Sequence, residues 1–306
     1  MTPKFQGHKN IVNMGTHSFC RDLCIARGEP IVGAGEVSAR YVLLHWPRAH
    51  WRVPRINALN MPEVLSSAII VASEAGIHVA LVDGDNIAIS CGPEMLIDAT
   101  PEMAAEAILR LSRNEPLANS DMIAMDHRPT ILCCTDSKMD ACCARYGFAT
   151  WKALKSAADP NVFRVLQSTH IGGCRFAASL LVLPQRERYG RLTPDHVPDF
   201  LASLRAGEPY LPAWRGEPSL EAVAQVADYH TRSYAQKMGL AAQPVLERIA
   251  RDTEHAAEFI ATIGATRLHI VLKQENYEIN IRCRTISDDA EPERAARWRL
   301  ASMTVM

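Results

Sequence analysis

Two short segments of the chain carry four sulfur and nitrogen donors, and this arrangement constrains the fold more than any other feature. Cys134 and Cys143 are separated by Thr-Asp-Ser-Lys-Met-Asp-Ala-Cys, and His170 and Cys174 are separated by Ile-Gly-Gly. Thiolates and imidazoles suit zinc and iron–sulfur clusters, whereas oxygen donors suit harder ions. A fold that joins both segments therefore creates a metal site. The donor types alone allow either a Cys3His zinc ion or a cluster.

Spacing does not settle which cysteines are the ligands, because each cysteine of the first segment follows another cysteine. Cys133 precedes Cys134, and Cys142 precedes Cys143. Successive side chains of a strand point to opposite faces, so only one of Cys133 and Cys134 can face a given metal. On this evidence either member of each pair remains a candidate.

The composition is that of an ordinary globular protein with reduced thiols. The 306 residues are 48% hydrophobic and 22% charged, and the net charge of −1 gives no indication of nucleic-acid binding. There is no apolar run long enough to predict a membrane span, and the first ten residues lack the apolar core of a secretory signal. The nine cysteines, an odd number, argue against a disulfide framework and favour the cytoplasm.

The cysteines outside the two segments have simpler interpretations. Cys91 and Cys283 lie in strand-like apolar stretches, so we expect them to be small buried residues. Thiol–disulfide exchange commonly uses a Cys-x-x-Cys motif, and Cys20 and Cys24 are one residue too far apart. The sequence therefore disfavours a disulfide oxidoreductase.

The second half of the chain has the element order of a thioredoxin-like unit. Apolar periodicity and turn residues predict a strand, a helix, a strand, a hairpin and a helix at Thr130–Cys134, Met139–Ala157, Phe163–Ser168, Leu180–Leu192 and Thr193–Ala206. The first strand–helix–strand part requires a parallel crossover, and the later pair of strands is antiparallel.

The first half repeats this scheme. It predicts a strand, a helix, two strands and a helix at Ser38–Trp46, Met61–Gly76, His78–Val82, Ile87–Cys91 and Pro101–Arg113. Thr100-Pro101-Glu102 and Thr193-Pro194-Asp195 are offset by 93 residues, and two Glu-Pro pairs share that offset. Segments 86–117 and 179–210 therefore align without a gap, which predicts a pseudo-repeat of two α/β units.

The remaining residues are predicted to form an extension. Helices are expected at Leu220–Met238 and Gln243–Ile263, followed by a hairpin of Arg267–Lys273 and Tyr277–Arg284 and a charged, frayed terminus. The predicted fold is thus α/β, with two thioredoxin-like units plus a helical and β-hairpin extension. The expected domains are 1–126 without a cluster, 127–216 with a metal site, and 217–306.

The residues around the donors resemble the sucrase/ferredoxin-like family, a group of thioredoxin-like [2Fe–2S] ferredoxins. The segments that carry the resemblance are Phe19-Cys20, Gly28–Gly33, Asp140–Ala144, Thr169–Ala177 (Thr-His-Ile-Gly-Gly-Cys-Arg-Phe-Ala), Leu183-Pro184, Tyr189–Arg191 and Arg215-Gly216. The resemblance covers most of the chain and is weakest at 45–75 and 265–306.

The resemblance implies a [2Fe–2S] cluster bound by Cys134, Cys143 and His170, which match the family's ligand positions. The family's second histidine is Cys174 here. We assign Cys174 as the fourth ligand on chemistry, since thiolate binds iron equally well. A thiolate in place of imidazole is expected to lower the reduction potential. In the first unit, Leu44 and His45 occupy the position comparable to Cys134. We therefore expect the first unit to be a copy of the second that lacks the cluster ligands.

The function implied is cytoplasmic one-electron transfer between a reductase and an acceptor enzyme, with no substrate chemistry of its own. The alternatives are a zinc-binding structural or interaction module, and an oxidoreductase with a small-molecule substrate between the units. Arg175, beside the ligand loop, is expected to form an ordinary salt bridge rather than to meet an acidic partner.

Overall fold

The computed structural model describes residues 18–117, 122–241, 243–253 and 255–306. The helices of this part of the chain are α1 Cys20–Ala26, α2 Glu63–Glu74, α3 Pro101–Ser112, α4 Phe148–Ala157, α5 Val197–Arg205, α6 Ala222–Met238 and α7 Cys283–Ser287. The strands are β1 Arg40–His45, β2 Ile77–Val82, β3 Ile89–Cys91, β4 Glu94–Leu96, β5 Ile123–Met125, β6 Thr130–Cys134, β7 Arg164–Ser168, β8 Leu180–Leu183, β9 Glu187–Tyr189, β10 Val245–Thr253, β11 Ala256–Ile263, β12 Thr266–Ile279 and β13 Glu293–Val305.

Nine of these strands form one mixed sheet, in the order β5-β4-β3-β1-β2-β7-β6-β8-β9. Strands β1 and β2 are parallel, as are β6 and β7, and the remaining neighbours in the sheet are antiparallel. The sequence-based prediction of a mixed α/β fold is therefore confirmed. Helices of the described residues are too short or too polar to cross a membrane.

The first half of the sheet is covered by α2 and α3. Helix α2 buries Leu65, Ala68, Ile69 and Ala72 on one face, as its periodicity predicts. Helix α3 begins at Pro101, and the Thr100 side chain accepts a hydrogen bond from the Met103 N–H at 3.3 Å, which is the predicted N-cap.

The second half contains the elements that carry the two donor segments. Strand β6 is buried along its whole length, and it lies between β7 and β8. The predicted order strand, helix, strand, hairpin, helix is confirmed for this half, with a 3-10 turn at Cys174–Phe176 between β7 and the hairpin. The last helix begins with a 3-10 turn at Pro194–His196, and the Thr193 side chain does not cap the backbone there.

The two halves of the sheet meet at the antiparallel pair of Val82 in β2 and Ser168 in β7. The next residue, Thr169, donates its N–H to the Leu81 carbonyl at 2.8 Å, and its hydroxyl accepts the Leu81 N–H at 2.9 Å. This junction therefore fixes the end of β7, where His170 follows, against the first half.

The extension differs from its prediction. The sequence predicts a helix over Gln243–Ile263, but this part of the chain contains the two strands β10 and β11. Burial alternates along β11, with Ala257, Phe259, Ala261 and Ile263 inside, and β11 pairs with β12 over eight residues. The alanine-rich sequence is compatible with either structure, and pairing with a neighbouring strand decides it.

The predicted hairpin and frayed terminus are also wrong. Strand β12 continues without a turn from Thr266 to Ile279, and the last strand, β13, pairs with it along twelve residue pairs. Helix α6 packs on the resulting four-stranded sheet, with Val223, Val226 and Ala227 against Phe259 and Ile270. The extension is therefore a helix on an antiparallel sheet, which the sequence did not predict.

Candidate metal centre

The structure brings together three of the four predicted donors at the carboxyl ends of β6 and β7. The Sγ atoms of Cys134 and Cys143 and a ring nitrogen of His170 all lie within 4.8 Å of one another. Cys134 is the last residue of β6, His170 follows β7, and Cys143 lies in the helix that follows β6. Because β6 and β7 are parallel neighbours, their ends meet at one edge of the sheet.

Cys174 joins this group from the loop after β7. Its Sγ lies 3.7 Å from Nδ1 of His170, and interaction with the Cys143 thiol lowers the pKa of Cys174. Cys134, Cys143 and Cys174 are 1%, 1% and 2% exposed, whereas His170 is only half-buried. Of the four donors, His170 therefore has the most contact with solvent.

The other cysteine of each adjacent pair, Cys133 or Cys142, points away from His170. The Cys133 thiol donates to the Gly147 carbonyl at 3.3 Å and lies in the apolar core around Ile131 and Leu180. The Cys142 Sγ lies 3.5 Å from Sγ of Cys20. Adjacent side chains point in different directions in both β6 and the helix, so the two cysteines of each pair have different neighbours. Cys134 and Cys143 are the members that lie near His170.

A wide helical turn places Cys143 close to the end of β6. Residues Cys143–Gly147 form a π-helical turn that continues into α4. A Cβ on Gly147 would overlap the carbonyl oxygen of Cys134, so only glycine allows this approach of helix to strand. Wide turns of this kind often occur at functional sites.

Two glycines and two buried arginines shape the loop that carries His170 and Cys174. Gly172 and Gly173 have φ angles of +94° and +79°, in the region that favours glycine. A Cβ on Gly172 would lie 3.0 Å from Nη2 of Arg188, and one on Gly173 would lie 3.0 Å from Nη1 of Arg215. Arg188 also donates to the carbonyls of Ile171 and Gly172, so it holds the loop in place.

Asp136 and Arg55 fix the backbone of His170 from two sides, and sequence reasoning missed both. The Asp136 carboxylate accepts the His170 N–H at 3.2 Å, and burial raises the pKa of this carboxyl. Arg55, from the first half of the chain, donates to the His170 carbonyl at 3.3 Å and to the Val79 carbonyl. Both contacts join residues distant in sequence, so no local pattern could have indicated them.

Contacts within this group shift the pKa values of its members in opposite directions. Burial would lower the pKa of His170, but hydrogen bonds with the Cys134 and Cys174 sulfurs raise it to about 10. The hydrogen bond from the Cys143 thiol, together with His170, holds the pKa of Cys134 well below its usual value. The same proximity raises the pKa of Cys143 well above its usual value, because a second adjacent thiolate is unfavourable. The site therefore already stabilises a thiolate ligand.

Arg175 forms the salt bridge that was expected of it. Its Nε lies 2.9 Å from Oε1 of the buried Glu29, and its guanidinium lies 4.3 Å from the centre of the Phe176 ring. Arg175 therefore serves to anchor the N-terminal segment to the ligand loop.

A cavity of about 520 Å³ opens beside His170, between the two halves of the large sheet. It is lined by Arg52, Arg55 and His78 from the first half, and by Met139 and His170 from the second. Of the four candidate donors, His170 is the one that borders this cavity.

Comparison with known proteins identifies the class. The family model of the sucrase/ferredoxin-like proteins matches residues 31–216, more than half of the chain, so the chain belongs to this family. No curated protein matches it significantly.

Two solved structures of a thioredoxin-like [2Fe–2S] ferredoxin from Aquifex aeolicus are similar to part of the chain. One is 17% identical, covering 28% of this chain and 89% of that chain, with a TM-score of 0.27. The wild-type structure at 1.5 Å is 18% identical, covering 28% and 95%, with a TM-score of 0.26. Similarity of this extent is too small to assign a site, and the family match is the stronger finding.

Proposed function

We propose that this protein is a one-electron carrier that binds a [2Fe–2S] cluster through Cys134, Cys143, His170 and Cys174. The observation that supports the proposal is the convergence of Cys134, Cys143 and His170 at one edge of the sheet, with Cys174 beside His170. Such a cluster, when bound, accepts and releases one electron at a time, and its potential depends on its ligands, its hydrogen bonds and its exposure.

The donor set fits a two-iron cluster. Each segment supplies two donors, so Cys134 with Cys143 and His170 with Cys174 form two natural pairs. Thiolate and histidine are both known ligands of such clusters. The same three cysteines and one histidine also suit zinc, and family membership favours the cluster.

His170 marks the side on which electrons would enter and leave. The three thiols are at most 2% exposed, and only the imidazole edge borders the cavity. We expect the redox partner, a reductase or an acceptor enzyme, to dock at this opening, whose lining carries both basic and acidic side chains, Arg52 and Arg55 with Glu74 and Asp136. We place the protein in a reducing compartment, the cytoplasm, because thiolate ligands persist there.

We further propose that the chain contains two thioredoxin-like units, 1–126 and 127–216, and an extension at 217–306. The strand orders β2-β1-β3-β4 and β7-β6-β8-β9 are the same in both halves. Strand β9 lies 93 residues after β4, and the residues of α3 align at that offset with Pro194–Arg205. In the first unit His45 ends β1, where Cys134 ends β6, and it contacts Arg164 at 2.8 Å instead of a metal.

The cluster can be tested on protein purified without air. We expect brown protein with about two irons and two acid-labile sulfides per chain, and a reduced form with an electron paramagnetic resonance signal. Replacement of His170 by Ala should abolish or strongly alter this signal. Cys91→Ala, which removes a thiol from the other half of the chain, should leave it unchanged.

A second variant tests the ligand assignment through the potential. Cys174→His creates the two-cysteine, two-histidine set of the family, and we expect it to raise the reduction potential by roughly 100 mV or more. Colourless wild-type protein with stoichiometric zinc and no iron would contradict the proposal. If the reduction potential of Cys174→His equals that of the wild type, Cys174 is not a ligand of the cluster.

A further inference from the structure

A second group of sulfur atoms surrounds Cys142, the residue that precedes Cys143 in the chain. The Sγ atoms of Cys20 and Cys142 are 3.5 Å apart, those of Cys142 and Cys283 are 3.3 Å apart, and those of Cys20 and Cys283 are 3.8 Å apart. A carboxylate oxygen of Asp140 lies within 4.8 Å of all three sulfurs. We call Cys20, Cys142 and Cys283 the sulfur triad.

The dimensions of the sulfur triad match one face of a tetrahedral zinc site. Zn–S bonds of about 2.3 Å place two sulfurs of a tetrahedron about 3.8 Å apart. The three distances are 3.3, 3.5 and 3.8 Å, so a single ion fits with a small outward movement of the thiols. They are too long for a disulfide, whose S–S bond is about 2.05 Å. They are too short for thiolates bound to the separate corners of a four-iron cluster.

Asp140 is held where it can complete the tetrahedron. One of its oxygens accepts the Cys142 N–H at 2.8 Å, and the other accepts the Cys283 N–H at 2.8 Å. An ionised carboxylate has about four lone-pair positions, so each oxygen retains one for a metal. The two hydrogen bonds also orient the backbone of two of the cysteines, as partners of metal ligands commonly do.

The four residues come from three distant parts of the chain and are almost completely buried. Cys20 lies in α1, Cys142 beside the wide helical turn and Cys283 in α7, and none is more than 3% exposed. Asp140 is 4% exposed. Burial of an acidic side chain among three thiols is unfavourable without a compensating cation.

We infer that Cys20, Cys142, Cys283 and Asp140 bind one zinc ion, a structural site separate from the electron-transfer centre. Binding converts the three thiols to thiolates and releases their protons to solvent, without any change of oxidation state. The ion ties the N-terminal helix α1 and the extension to the helix that bears Cys143. Since the site is enclosed, zinc would enter during folding and exchange slowly afterwards.

The first test uses the wild-type holoprotein and the zinc X-ray absorption edge. We expect about one zinc per chain in addition to iron, with three sulfur ligands at about 2.3 Å and one oxygen at about 2.0 Å. Zinc misplaced in the electron-transfer centre would instead show the outer-shell scattering of an imidazole ring, because His170 would be bound. Absence of zinc, or zinc with mainly nitrogen and oxygen ligands, would overturn the inference.

The second test uses variants and metal analysis. Cys20→Ala and Cys283→Ala should each lose the zinc, while the iron, the sulfide and the visible spectrum are retained. The matched control is Cys24→Ala, which removes another buried thiol of α1 that lies outside the triad, and it should retain the zinc. Retention of zinc in both triad variants would refute the site. If a variant fails to fold, the absorption data on the wild-type protein still decide.

Discussion

Glu29 is the residue on which we expect the attachment of the extension to depend most. Its side chain is fully buried, and Oε1 accepts hydrogen bonds from Nε of Arg175 and Nη2 of Arg297, both at 2.9 Å. Arg191 approaches Oε2 to 3.9 Å. One carboxylate thus joins the N-terminal segment to the ligand loop, to the turn after β9 and to β13.

Glu29→Gln keeps the shape of the side chain and removes its charge. Removal of one member of a buried ion pair costs about 3–5 kcal/mol, because the remaining charge is left uncompensated. The side chains of Arg175 and Arg297 are 14% and 20% exposed, so water reaches them in part and the lower end applies. We expect a loss of roughly 3 kcal/mol, or a fall in Tm of roughly 5–10 °C.

The change can be measured by thermal and urea unfolding of the anaerobic protein, followed by far-ultraviolet circular dichroism. Hydrogen exchange should increase most in α1 and β13, which Glu29 joins. The control is Glu115→Gln, since Glu115 pairs with Arg113 on the surface and we expect no measurable change. If Glu29→Gln unfolds at the wild-type midpoint, the network does not hold the extension and the reasoning is refuted.

Two further predictions concern the sheet around the site. Gly147→Ala should displace the end of β6 and abolish the cluster absorbance while most far-ultraviolet ellipticity remains; a wild-type visible spectrum would show that the close approach is not required. Burial is the main cause that lowers the pKa of His45 to about 4, and the positive charge of Arg164 lowers it further. This value lies below the ordinary 6.5, so the unfolded chain binds the proton more tightly, and stability present at pH 7 is lost as the pH falls from 6.5 towards 4. We expect roughly 1–2 kcal/mol less stability at pH 5 than at pH 7, and a smaller change in His45→Gln; equal changes in urea midpoint would refute this.

Local patterns predicted the part of the fold that local forces determine. Strand β6 has its predicted bounds. Helix α2 and the N-cap at Thr100 were also predicted, because both depend on residues that are close in sequence. Two short motifs predicted Cys134, Cys143, His170 and Cys174 as ligands, and the structure brings Cys134, Cys143 and His170 together because their segments follow two parallel strands, β6 and β7.

The errors concern features that depend on distant partners. Residues of β10 and β11 have helix-compatible composition, and pairing makes them strands, β10 with β11 and β11 with β12. Cys283 was expected to be an ordinary buried residue of a strand, but it begins α7 beside Cys142. Its neighbour Cys20 is 263 residues away in sequence, so no spacing rule relates the two.

The adjacent pair Cys142 and Cys143 shows how one helix can serve two purposes. Cys143 lies near Cys134 and His170, whereas Cys142 contacts Cys20 of α1 and Cys283 of α7. Through Cys142 and Glu29, the N-terminal segment and the extension are fixed to the second half of the large sheet at two independent points. These attachments lie away from the cavity, so they bury the thiol side of the centre and leave the imidazole edge of His170 accessible. The extension therefore helps to enclose one side of the candidate centre, even though it contributes none of the four proposed cluster ligands.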